Sequence, residues 1–390
     1  MNEVSLKRVP LLENRTGFRE PFRFDSPEQL KALVLETRAH GSSDIYFQPT
    51  KPVYANLDGC LRSATERYID DAEVKLILKW LADSETAETD ILEGKAVNRR
   101  YELFDPQKRE ESGARVRYAY RVNAVPILSE GATSAQIVLR AIPLDPPTPD
   151  DVGLSDELLH YMTPRDGIVY IAGATGSGKT TTIAAVIHHI LVADTPIKGN
   201  IVTYEEPIEF QFARVASVHS VIVQTQVPTQ MATFHDGIRE AMRRAPKLIV
   251  FGELRDEETI RAAVEASLTG HSVCGTVHAK NVAAVFRRLI SRFPESERAT
   301  AIFDIIETVR CIVAQRLVPR VGGGRIAVRE YLAIDEDVRN SLSDLSDMGR
   351  VTSAVKLLVE DKGTSFRKEA QRLLSLGLIS EPTARELMEG

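Results

Sequence analysis

Eight consecutive residues, Gly173-Ala174-Thr175-Gly176-Ser177-Gly178-Lys179-Thr180, place glycine, lysine and threonine at the spacing GxxxxGK[ST]. The glycines let successive backbone N–H groups curl around an anion, and a helix opening at the lysine adds the positive end of its dipole. Lys179 is then expected to reach the β- and γ-phosphates of a nucleoside triphosphate. Thr180 is expected to ligate Mg²⁺, with Thr181 closing the binding run. The apolar run 168–172 before the loop, and Ile183, Val186, Ile187 and Ile190 after it, give the strand–loop–helix setting that this chemistry needs. A glycine-rich turn beside a surface lysine would lack that frame. The NKxD sequence that reads guanine does not occur, so the expected nucleotide is ATP with Mg²⁺.

Acids follow at two further strand ends, where a parallel sheet presents its ligand site. The run 201–204 leads into Glu205-Glu206-Pro207-Ile208-Glu209, and the run 247–251 into Gly252-Glu253. Glu253 is read as the general base for an attacking water. Glu205 and Glu206 are candidates for the magnesium shell and for orienting that water, and Glu209 is a further candidate beside the nucleotide. Each could instead be a solvated acid favoured by a helix N-terminus. In Thr269-Gly270-His271-Ser272-Val273-Cys274-Gly275-Thr276-Val277-His278 the two histidines fall at opposite ends of one strand, so they are not a metal pair. His278, at the carboxyl end, is placed to contact the γ-phosphate or its water. His271 is a weaker candidate at the nucleotide, and a satisfied core histidine is the plain alternative for both.

The elements that position these residues are legible in outline. Residues 1–24 lack periodicity and are expected to form a mobile arm. Ser26-Pro27-Glu28-Gln29 reads as N-cap, N1 proline and capping-box glutamine, with Gly41 near the helix end. Two short strand-like runs meet at Asp58-Gly59, a second capped helix opens at Asp70 with Glu73, and three further strand-like runs lie near 99–105, 115–125 and 134–142. Residues 25–142 thus read as a small α+β domain. Four prolines in the nine residues 142–150 mark a stiff linker, assigned to 143–150. Beyond it, continuous apolar runs alternate with helices, the pattern of a mainly parallel sheet in an α/β domain over 151–350. Residues 351–390 read as a helical segment.

Composition excludes several classes. The 390 residues are 43% hydrophobic and 27% charged, which rules out wholesale disorder. A formal charge of −6 argues against a large basic field for nucleic acid, and no direct nucleic-acid binding is expected. The three cysteines form neither a disulfide framework nor a CxxC pair. The N-terminal run has no apolar signal core, and no stretch is long and apolar enough to span a bilayer, so the expectation is a cytoplasmic chain without integral membrane contact.

In order, IAGATGSGKTT, TYEEPIEF, VFGELRDEETI and TGHSVCGTVHAKN resemble the Walker A, Asp box, Walker B and His box of the secretion ATPase superfamily, which powers type II and type IV secretion and type IV pili. HGSSDIYFQPTKPVYANLDG, YAYRVNA and IVLRAIP look like the N-terminal domain of the pilus retraction motors, and AQRLVPR like their C-terminal half. The stretch EGATSAQIVLRAIPLDPPTPDDVGL is most similar to the DotB/TraJ-like branch of type IVB secretion and IncI-type conjugation. The resemblance implies a PAS-like N-terminal domain on a RecA-like ATPase domain and a homo-hexameric ring. It also implies peripheral attachment to the inner membrane through protein partners of the secretion or conjugation apparatus. Carried over to this sequence, Arg121 and Arg140 would stabilise charge on the phosphates, Arg117 less surely; ordinary salt bridges are the alternative. The run Arg243-Arg244-Ala245-Pro246-Lys247 departs from the family, which commonly carries acids there. Other classes are a nucleotide-switched scaffold, a P-loop kinase and a nucleic-acid translocase. Glu253 favours the enzyme over the scaffold, no acceptor-binding lid is evident for a kinase, and the acidic charge disfavours the translocase.

Overall fold

The computed structural model describes residues 9–12, 18–57, 59–109, 113, 115–143 and 145–389. The chain divides into two compact units, Met1–Leu144 and Asp145–Gly390.

The N-terminal unit runs α1 (Pro27–Ala39), β1 (Asp44–Phe47), β2 (Tyr54–Leu57), β3 (Cys60–Ser63), α2 (Asp71–Ala82), α3 (Ala87–Leu92), β4 (Val97–Arg109), β5 (Arg115–Ser129) and β6 (Ala132–Ile142). Its start signals act as read. The Gln29 side chain accepts N–H bonds from Asp25 (2.9 Å) and Ser26 (3.3 Å). Asp70 caps α2 by accepting from the Glu73 N–H at 2.7 Å, and the Glu73 carboxylate accepts back from the Asp70 N–H at 3.0 Å. The strands form one antiparallel sheet in the order β3-β2-β1-β6-β5-β4. Leu30, Leu33, Ile77 and Leu81 of α1 and α2 pack with Ile45, Val122, Ile137 and Leu139 of the sheet.

The described part of the expected mobile arm is instead built into this unit. The Leu12 N–H donates to Ser63 O at 2.8 Å and Ser63 N–H to Pro10 O at 2.7 Å, while Phe18 and Phe24 are buried and stacked. Lone aromatics in an aperiodic stretch give no period to detect, yet each buries a large apolar face. Gly59 lies at φ +83°, as a tight turn requires; Asp58 and Leu144 lie outside the described residues.

The second unit runs α4 (Asp156–Met162), β7 (Gly167–Ala172), α5 (Lys179–Val192), β8 (Asn200–Glu205), β9 (Val221–Gln226), α6 (Phe234–Ala241), β10 (Pro246–Phe251), α7 (Glu257–Leu268), β11 (Ser272–Val277), α8 (Val282–Ile290), α9 (Arg298–Thr308), β12 (Val309–Pro319), β13 (Arg325–Ala333), α10 (Glu336–Ser343), α11 (Met348–Asp361), α12 (Phe366–Ser375) and α13 (Glu381–Glu389). The sheet order is β13-β12-β7-β11-β10-β8-β9, parallel throughout except for the antiparallel β12–β13 pair. Every residue of β7 and β11 is buried, as their unbroken apolar runs foretell. Helices α11 to α13 join the same core through Val351, Val355, Phe366, Leu373 and Leu387. No helix among the described residues is long and apolar enough to cross a membrane.

Candidate nucleotide site

The glycine-rich loop joins β7 to α5 at the carboxyl edge of the parallel strands. Two of its glycines are demanded by space as well as by conformation. A Cβ on Gly173 (φ +155°) would stand 2.5 Å from Gln315 O, and one on Gly178 (φ +85°) 2.9 Å from Gln315 Nε2. Lys179 is buried, and its ammonium donates to the carbonyls of Gly173 and Ala174, both at 3.0 Å. Burial holds its pKa below the ordinary lysine value, opposed by the nearby charges of Glu253 and Glu209. The Ser177 hydroxyl is buried and has no hydrogen-bond partner among the described residues. An orphaned donor, a buried cation and a glycine cradle at a helix N-terminus together suit a polyanion.

β11 lies between β7, which feeds the loop, and β10, which leads to Glu253. At its carboxyl end His278 Nε2 stands 3.6 Å from Glu253 Oε1. The backbone around the glutamate is pinned from the same strand: Leu254 N–H donates to Thr276 O at 2.9 Å, and the Thr276 hydroxyl donates to Gly252 O. Lys179, Glu253, Glu209 and His278 are thus brought to one edge. His271 is not. It sits at the start of β11, its backbone carbonyl accepting from Gly167 N–H and its ring Nδ1 3.1 Å from Ala266 O. With a full strand between it and the loop, the expectation that His271 touches the nucleotide is corrected; it is held at the end of α7.

Glu205 ends β8 and is engaged by its neighbours. Its Oε1 accepts from Thr203 Oγ1 (2.6 Å) and Gln224 Nε2 (3.2 Å). Gln224 also donates to Phe210 O at 2.8 Å and accepts from Phe212 N–H at 3.3 Å, and Gln226 accepts from Ile208 N–H at 3.4 Å. Two glutamines on edge strand β9 therefore clamp the loop that carries Glu206 and Glu209. Glu206 itself is exposed. Among the described residues no group of three or more His, Cys, Asp or Glu converges as a metal cage. The donor set fits Mg²⁺ arriving with the phosphates, which needs only a hydroxyl and one or two carboxylates from protein.

Behind the loop lies a buried polar chain that the sequence did not announce. Gln315 on β12 donates from Nε2 to Ser177 O (2.6 Å), and its Oε1 accepts from Thr182 Oγ1 and from Arg329 Nε (both 2.8 Å). A cavity of about 1080 Å³ opens on this side, lined by Gly178, Thr181, Gln315, Leu317, Ile326 and Arg329 among others. The departing run 243–247 meets the other end of β10. There Arg243 pairs with Glu240 at 3.0 Å, and Ala245 takes a left-handed φ of +47°.

In the N-terminal unit, Asp44, Arg140, Arg121 and Arg100 are direct cross-strand partners over β1, β6, β5 and β4, so they share one face. Arg140 donates from Nε to Asp44 at 2.7 Å. Glu102 bridges Arg100 (2.6 Å) and Arg117 (3.2 Å) on the same face. The opposite face, with Tyr120 and Val122, is core.

The loop, the added strand between the two Walker strands and the terminal glutamate define a P-loop protein of the α/β class. Residues 27–323 match the family described as "Type II/IV secretion system protein", and the chain belongs to that family. It is similar over nearly its whole length to two solved structures. The ATPase DotB of Yersinia pseudotuberculosis is 45% identical, with 98% of each chain covered and a TM-score of 0.84. The ATPase DotB of Legionella pneumophila is 37% identical, with 98% of this chain and 100% of that one covered and a TM-score of 0.86. The pilus retraction motor PilT, solved with bound ADP, is 27% identical, with 91% and 95% covered and a TM-score of 0.76.

Proposed function

We propose that this chain is an ATP-hydrolysing motor of a type IVB-like secretion or conjugative transfer machine, working as a homo-hexamer of PAS-like and RecA-like domains. The observation that carries the reading is the intact loop and glutamate edge in a chain 45% identical, end to end, to a DotB ATPase. ATP phosphates lie on the loop amides, with the buried Lys179 turning from the Gly173 and Ala174 carbonyls to the β- and γ-phosphates. The Thr180 hydroxyl, with the phosphates, would hold Mg²⁺, which would supply charge neutralisation there. Glu253 accepts the proton of the attacking water, and His278 fixes that water or the γ-phosphate beside it. Glu205 acts through its hydrogen bonds to hold the acidic loop, while Glu206 and Glu209 face the metal shell. Arg121 and Arg140 are proposed to complete charge stabilisation from the N-terminal unit. Hydrolysis drives domain motion, and attachment to the inner membrane is through protein partners, with no direct contact to nucleic acid.

A second reading, pilus retraction, rests on the likeness to PilT. Light scattering with Mg²⁺ and a slowly hydrolysed ATP analogue tests the ring. Six copies of 43.3 kDa give about 260 kDa. A monomer that binds nucleotide at micromolar protein, with the membrane partners supplied, would refute the hexameric motor. Loss of substrate transfer, as against loss of pilus retraction, in a Lys179→Ala strain separates the two machines.

A further inference from the structure

Arg329 is 5% exposed, and among the described residues no carboxylate lies within ion-pair distance of it. Its guanidinium is held by neutral oxygens alone: Gln315 Oε1 at 2.8 Å, Gly153 O at 2.9 Å, Val152 O at 2.7 Å and, more loosely, Thr182 Oγ1 at 3.5 Å. Among the described residues, Glu369 is the acid whose charge acts on it, and it is engaged by Arg372 through two bonds of 2.7 and 2.8 Å. A buried charge is ordinarily paired. This one sits beside the N-terminus of α5, the positive end of a helix dipole, which adds to the imbalance. Burial lowers its pKa to about 10, the direction expected of a cation short of counter-charge.

The four oxygens belong to three pieces of chain. Thr182 and, through Gln315, Ser177 belong to the phosphate loop and its helix; Gln315 belongs to β12. Val152 and Gly153 form the turn that directly follows the proline-rich segment joining the two units, a turn closed by Gly153 N–H to Asp150 O at 3.1 Å and Leu154 N–H to Pro149 O at 3.0 Å. A single run of hydrogen bonds therefore leads from Ser177 O through Gln315 and Arg329 to this turn. The loop must rearrange when phosphate arrives, because Lys179 has to leave the carbonyls it now holds.

We propose that Gln315 and Arg329 are positioning residues of the nucleotide cycle, transmitting phosphate occupancy of the loop to the turn at Val152 and Gly153 that begins the ATPase unit. The proposal rests on the nucleotide reading above. The triphosphate brings the anion that the buried guanidinium lacks, and tightening at Ser177 pulls on Gln315, Arg329 and the turn in sequence. Neither residue touches the nucleotide in this scheme.

The test is amide hydrogen exchange over residues 148–156 of the full chain, with and without ADP or a slowly hydrolysed ATP analogue, alongside nucleotide affinity by calorimetry. In the wild-type protein, nucleotide should slow exchange of this turn by at least about fivefold, the lower range for coupled sites. Arg329→Met should remove that response while ADP affinity stays within about threefold, since distant coupling rather than contact is lost. Gln315→Met/Arg329→Met removes both linking side chains and leaves no unpaired buried charge, and should be equally unresponsive. Arg329→Lys keeps the charge but lacks the planar, five-donor fork that spans these separated acceptors, and should respond partially. A wild-type turn indifferent to bound nucleotide, or a double variant that still responds, overturns the relay alone. A loss of ADP affinity beyond about tenfold in Arg329→Met makes Arg329 a ligand contact and also overturns it. A wild-type chain that binds neither nucleotide overturns both readings.

Discussion

His278 Nε2 stands 3.6 Å from Glu253 Oε1, across the carboxyl ends of the neighbouring strands β11 and β10. That spacing leaves both groups able to reach one water on the γ-phosphate side of the loop. A glutamine at 253 keeps the shape and loses the proton acceptor. Glu253→Gln should lower kcat by about 10²–10⁴-fold, the usual range for a general base, with analogue binding retained. Phosphate release and calorimetry on the same preparation check it. Unchanged turnover would favour the nucleotide-switched scaffold.

His278→Ala should cost less, about tenfold to a hundredfold in kcat with a smaller change in KM, because the proposed hydrogen-bonding partner of the reacting water is removed and the proposed base remains. Steady-state kinetics decide this. A change confined to KM would assign His278 to ground-state nucleotide binding.

Gly178→Ala tests the loop's packing. The new methyl meets Gln315 Nε2 at 2.9 Å on a left-handed backbone, so the loop must shift. The conformational cost alone is about 1–2 kcal/mol. Nucleotide affinity should fall by at least about tenfold, while the melting temperature without nucleotide drops by only a few degrees. Titration with a fluorescent ADP reads the first and calorimetric melting the second.

The fold was largely legible because its strongest determinants are local. Capping at Ser26 and Asp70, the glycine-rich loop and the unbroken apolar runs of β7, β10 and β11 are set by neighbouring residues. Gln315 and Arg329 escaped notice for the opposite reason. Each stands in its strand beside another polar residue, Arg316 or Glu330, and only long-range pairing with Ser177, Thr182 and Val152 shows what it satisfies. Phe18 and Phe24 were hidden likewise in an aperiodic segment. His271 shares a motif with His278, but β11 is fully extended and holds the two histidines at opposite ends.

Gln224 should act through position rather than contact. It binds Glu205, Phe210 O and Phe212 N–H at once, so Gln224→Leu frees the acidic loop. We expect kcat to fall by about tenfold with KM changed less than threefold, as when a transition-state geometry is loosened. Single-turnover hydrolysis checks it, and Gln224→Glu should not rescue, since a carboxylate repels Glu205.

Glu330 supplies a pH dependence. Burial raises its pKa above the ordinary carboxylate value, opposed by N–H bonds from Val282 (2.7 Å) and Phe366. A raised folded pKa means the native state holds its proton longer than the unfolded chain. Glu330 therefore costs stability as pH rises above about 4.3 and costs nothing below it. Glu330→Gln keeps the acceptor without the charge, so it should melt higher than the wild type at pH 7, with the gap closing near pH 4. Thermal melts across pH 4–8 measure it; a gap that widens on acidification has the wrong sign.

The strand β11 between β7 and β10 also makes the sheet a gauge. The strands leading to Lys179 and to Glu253 are two spacings apart, roughly 9.5 Å at ordinary inter-strand distance. On the proposed nucleotide reading, a phosphoryl group with a water behind it would lie across that width, between the lysine and the glutamate. A diphosphate would leave that span short by one link. The edge of the sheet would then measure the length of the polyphosphate chain, and tell full from spent by what still bridges from lysine to glutamate.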